Sequence, residues 1–103
     1  MIRKSLDEFQ QYCDELKPKE YIFNLDNQTG CDSLSVQAVL RFNNVVARSF
    51  TRRIMFSGEH GFMCFNNVEH IEIAEDNEGG VFFNIICHRL GSRYAQTFVM
   101  LAD

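Results

Sequence analysis

Tryptophan is absent from this 103-residue chain, and proline occurs once, at Pro18. None of the four cysteines, Cys13, Cys31, Cys64 and Cys87, belongs to a C-x-x-C pair. That leaves no zinc knuckle and no dithiol redox motif. No stretch reaches 18 consecutive apolar residues, so no membrane-spanning helix is expected. The opening residues, Met-Ile-Arg-Lys-Ser-Leu-Asp-Glu, lack the apolar core of a secretory signal. The expected setting is therefore a reducing cytoplasm with free thiols. Asn27-Gln28-Thr29 has the form of a glycosylation sequon but reads better as turn chemistry. Glycine-rich phosphate loops, nucleophile elbows and H-E-x-x-H are all missing, so no catalytic residue, cofactor or metal ligand is assigned.

What is present is a globular composition. Hydrophobic residues make up 46% of the chain, charged residues 23%, and phenylalanine alone accounts for ten positions. This length suits a single domain, 1–103, with one Phe-rich core. The formal net charge of −4 disfavours general nucleic-acid binding, which wants a basic surface.

Ser5-Leu6-Asp7-Glu8 has the form of a capping box. Leu6, Phe9, Cys13 and Leu16 follow at helical spacing, and Lys17-Pro18 stops the pattern. An amphipathic helix over 5–17 results, too short to stand alone and so expected to pack on a sheet. From residue 20 to 101 the period becomes two. Tyr21, Phe23 and Leu25 form one apolar stripe; Leu34, Val36, Ala38, Leu40 and Phe42 form another. Phe-Asn-Asn-Val occurs at 42–45 and again at 65–68. Asn tolerates positive φ, so both copies read as tight hairpin turns. Residues 45–57 read as one strand, bulged near Thr51-Arg52-Arg53. The expected fold is α+β: an N-terminal helix on a six- to seven-stranded antiparallel meander, curled or partly closed into a barrel.

The histidines, thiols and carboxylates form no convincing site. Cys87 and His88 are adjacent on a strand and point to opposite faces. In the hairpin register expected at residues 65–68, Cys64 faces Glu69 and His70 faces Met63, which again separates the thiol from the imidazole. Cys87 lies in an apolar strand, where burial would raise its pKa. Cys31 follows Gly30 in a polar stretch beside Asp32, which disfavours its thiolate. Glu69, Glu72 and Glu75 read as a solvated sheet edge that blocks aggregation.

Arginine is the uneven feature. Arg41, Arg48, Arg52 and Arg53 give residues 41–53 four positive charges and no negative one. Interleaved with Phe50, they could hold single-stranded nucleic acid. The stronger expectation comes from apolar residues on the second face of several strands. One helix cannot cover both faces of a meander. Val46, Phe50 and Met55, with Phe82 and Ile86, are therefore read as one partner-binding patch rimmed by Arg52 and Arg53. The first reading is a non-catalytic protein-binding or self-associating module, as a symmetric homodimer if it assembles. The second is a nucleic-acid binder or regulator using Arg41, Arg48, Arg52 and Arg53. The third is an enzyme or small-ligand carrier whose barrel interior holds an apolar molecule.

Overall fold

The computed structural model describes residues 2–26, 37–75, 77, 79–89 and 92–101. In chain order the elements are β1 (Ile2–Lys4), α1 (Leu6–Leu16), β2 (Glu20–Asp26), β3 (Gln37–Phe42), β4 (Asn44–Arg48), β5 (Arg53–Gly58), β6 (Gly61–Phe65), β7 (Val68–Glu75), β8 (Val81–Arg89) and β9 (Ser92–Leu101). The class is α+β with one helix and antiparallel sheets. Strands β1-β7-β8-β9-β2-β3 form a six-stranded sheet, and β4-β5-β6 form a three-stranded one. Two sheets thus replace the expected single meander, and neither closes into a barrel.

The reason lies in the two Phe-Asn-Asn-Val segments. Neither is a hairpin turn. The first joins β3 to β4 and the second joins β6 to β7, so each carries the chain from one sheet to the other. Phe and Val three residues apart would face opposite ways on a straight strand. Here Phe42, Val45, Phe65 and Val68 are all buried in the core, because the strand bends at the asparagines between them. Asn67 adopts φ 55° at the second bend, a conformation Asn enters more readily than most residues. At the first bend the Asn43 N–H donates to the Ser57 carbonyl at 3.0 Å. A Cβ on the adjoining Gly58 would lie 3.3 Å from the Arg41 carbonyl oxygen and from Phe42 Cα, so glycine suits this close crossing.

Strands that switch sheets at bends make the corners of a packed two-sheet core. Tyr21 meets Phe56 at 5.5 Å between ring centroids, and Phe23 meets Phe65 at 5.6 Å. The small sheet thereby covers the β2 end of the large one. Helix α1 covers the β7–β8 end, where Phe9 stands edge-on to Phe83 at 4.9 Å. Its expected stripe is confirmed for Leu6, Phe9 and Cys13, which are buried, while Leu16 packs against the core only partly buried. Ser5 and Glu8 form the reciprocal capping box, and Lys17 ends the helix in the left-handed region at φ 48°.

Gln10 makes the tie between helix and small sheet. Its side-chain oxygen accepts from the Ala47 N–H at 2.6 Å, and its side-chain nitrogen donates to the Val45 carbonyl at 3.4 Å. The helix thus supplies to β4 the bonds a neighbouring strand would make, which masks an otherwise open edge.

Candidate functional site

The outer face of the small sheet follows from its register. Val46, Met55 and Cys64 lie in one cross-strand row, Ser57 lies opposite Phe62, and Arg48 lies opposite Arg53. Their alternate neighbours, Val45, Ala47, Ile54, Phe56 and Phe65, are buried on the inner face. Met55 is 37% exposed and Phe62 71%. The expected single strand over 45–57, bulged near Thr51-Arg52-Arg53, is instead the β4–β5 hairpin, whose turn spans 49–52 with the Arg52 N–H donating to the Ser49 carbonyl at 3.3 Å. At its apex Phe50 is 98% exposed.

Two features of this hairpin cost stability, and a third contributes nothing to it. Arg52 holds φ 52°, where a Cβ is strained. Arg48 and Arg53 oppose one another across the strands as like charges. Phe50 leaves a whole ring in water. The tip is nonetheless held in place. The Arg52 carbonyl accepts from the Val68 N–H at 2.9 Å, and Arg53 Nε donates to Asn66 Oδ1 at 3.0 Å. Strain maintained by surrounding bonds is a feature of functional positions.

The structure divides the residues that the sequence grouped as one patch. Val46, Phe50, Arg52, Arg53 and Met55 belong to the small sheet and its hairpin tip. Phe82 and Ile86 are half-buried on the outer face of the large sheet, opposite Ala74 and His70. Because the inner faces of the two sheets share one core, these outer faces point away from each other. Period two shows which residues share a face of a strand but not which sheet that strand joins. Phe62, absent from the grouping, is the apolar residue this face adds. The proposed nucleic-acid strip divides in the same way. Arg48, Arg52 and Arg53 stay together, whereas Arg41 lies on the large sheet, ion-paired with Glu20 at 2.9 Å.

A second polar cluster sits at the β-bulge where β7 begins. Cys64 pairs with Met55 and His70 with Ile86, so the expected hairpin pairing of Cys64 with Glu69 does not occur. The bulge between Val68 and His70 instead brings Glu69 against His88 Nε2. His70, 6% exposed, places Nδ1 3.6 Å from Glu69 and Nε2 3.5 Å from Glu72. The two carboxylates approach opposite edges of the imidazole and do not converge. Among the described residues no group of three or more His, Cys, Asp or Glu side chains could hold a metal ion.

The described thiols differ in setting. Burial pushes Cys13 up to about 12, and burial also raises Cys87. Both stay protonated near neutral pH, so neither can serve as a nucleophile there. Cys64 is half-buried on the outer face of the small sheet; Cys31 lies outside the described residues. Among the described residues no helix is long and apolar enough to cross a membrane. No protein-family model matches this chain, and neither the curated proteins nor the solved structures contain a significant match to it.

Proposed function

We propose that the chain is a non-catalytic protein-binding module whose contact surface is the outer face of β4-β5-β6 together with the tip of the β4–β5 hairpin. The observation that carries this reading is Phe50, 98% exposed at the apex of a tip that two bonds from other segments hold in place. The adjoining face carries Arg48, Arg53, Met55 and Phe62, residue types enriched in protein interfaces. A preorganised tip loses little entropy on docking.

The test is affinity capture from cells of the source with three immobilised forms: the natural chain, a Phe50→Asp/Met55→Glu double variant, and Val39→Glu. Val39 is 59% exposed on the other sheet, so its variant is the control. A stoichiometric partner held by the natural chain and the control but lost with the double variant is the expected result. Equal recovery on all three would refute the assignment of this face.

Single-stranded nucleic acid is the second reading. It is favoured by Arg48, Arg52 and Arg53 around Phe50 and by the lack of any carboxylate between residues 41 and 58. Three phosphate contacts would give a slope of about −2 in log affinity against log salt. Absence of micromolar binding to labelled single-stranded RNA and DNA at low salt rules it out.

A further inference from the structure

We infer that the occupant of this face is a second copy of the chain, related by a two-fold axis that lies in the interface and runs across the strands. The inference rests on the reading of the small sheet as a contact surface and names its partner. Along the strands the face has three zones. At one end Arg48 and Arg53 oppose each other, with Arg52 and Phe50 in the turn beyond. The middle is the apolar row Val46, Met55 and Cys64. At the other end stand Asn44, Ser57 and the 71%-exposed Phe62, followed by the exposed turn residues Glu59 and His60. Cations thus occupy one end, and a carboxylate with an open aromatic ring occupies the other.

Such a face complements itself in one orientation only. A two-fold axis parallel to the strands would lay arginine on arginine. A two-fold axis across the strands lays the arginine end of each copy on the Glu59 and Phe62 end of its partner, and does so twice. The row through Met55 falls near the axis and meets its own image. Guanidinium against carboxylate and guanidinium over a phenyl face are both favourable. Each contact is repeated by symmetry, as in any closed two-fold interface.

The dimensions set the strength. Three strands about 4.8 Å apart and five residues at about 3.3 Å each outline a face of roughly 14 by 17 Å. With side-chain relief this is several hundred Å² per copy, below the roughly 800 Å² per partner of a standard stable complex. The dimer should therefore be of the weak, transient class.

Sedimentation equilibrium of the full chain, from about 5 to about 500 μM at low salt, tests this directly. The natural chain should fit a monomer–dimer equilibrium. Met55→Glu should weaken it at least tenfold, and Phe62→Arg, which sets a cation against the partner's arginine end, makes the same test should Met55→Glu fail to fold by circular dichroism. Arg48→Glu alone and Glu59→Arg alone should each weaken it several-fold, because each places like charges together. The double swap Arg48→Glu/Glu59→Arg should return it to within about threefold of the natural value, since coupled charge pairs are restored only together. A natural chain that stays monomeric overturns the inference, as does a dimer indifferent to Met55→Glu. Failure of the double swap to restore association overturns the orientation. A monomeric chain that still loses a captured partner with the Phe50→Asp/Met55→Glu variant leaves the binding face standing and refutes only the second copy. Monomeric chain that binds single-stranded RNA through Arg48 and Arg53 assigns the face to nucleic acid instead.

Discussion

Gln10 joins two elements through one side chain. It is a polar residue on the flank of an amphipathic helix, yet it supplies an acceptor and a donor to the edge of β4. Gln10→Ala should cost about 1–3 kcal/mol in urea unfolding, because the Ala47 N–H is left without a partner. Gln10→Glu keeps an acceptor for that N–H and should cost less. Cys13 makes a different prediction. Its thiol titrates near 9.0 when unperturbed and is pushed up to about 12 by burial in the folded chain. Between those values the unfolded chain loses a proton that the folded chain retains. The contribution is fully present below pH 9 and is lost as pH rises towards 12. Stability measured by chemical denaturation should fall across that window, and Cys13→Ala should flatten part of the fall. The remainder belongs to Cys87, Tyr12 and Tyr21, which burial raises as well.

Helix α1 was legible almost to the residue. Its capping box, its stripe of Leu6, Phe9 and Cys13, and its stop before Pro18 are all local features. Phe9 is 0% exposed against Phe83, so Phe9→Ala should destabilise by about 3–5 kcal/mol. Leu16, only partly buried, should cost less than the 2–5 kcal/mol usual for a fully buried leucine. The β4–β5 hairpin was not legible, because its turn, Ser49-Phe50-Thr51-Arg52, contains no glycine, proline or asparagine to mark it. The same fact yields a prediction. Arg52 sits where glycine is at ease, and Arg52→Gly should raise the unfolding free energy by about 1 kcal/mol. An increase of that size would show that the natural residue is kept at the expense of stability.

On the scale of the molecule, the core is closed from two directions. The small sheet folds over β2 and β3, and the helix lies over β7 and β8. Phe50 is outside that core, so Phe50→Asp should leave the far-UV circular dichroism unchanged and the unfolding free energy within about 0.5 kcal/mol of the natural chain. The same substitution in a barrel interior would bury an unpaired charge and unfold the protein. The observed edges of both sheets and the exposure of Phe50 favour the first outcome. Charge is also unevenly placed. The exposed residues of α1 include Asp7, Glu8, Asp14 and Glu15, whereas the hairpin carries Arg48, Arg52 and Arg53. A net charge of −4 therefore conceals a local cationic end.

The sequence by itself determined those features that depend on neighbours within a few residues. These are the limits of the helix, its buried stripe of Leu6, Phe9 and Cys13, and the shared inward face of Tyr21 and Phe23 along β2. Tertiary structure decided everything that depends on which strand lies beside which. The dihedral freedom of asparagine serves a hairpin turn and a bend between sheets equally well, so Phe-Asn-Asn-Val could not declare which it was. Once both copies became crossings, Val46 and Met55 parted from Phe82 and Ile86, and Arg41 parted from Arg48. The face of β4-β5-β6 exists because the core draws Phe42, Val45, Phe65 and Val68 to one side, a long-range demand that no local pattern encodes.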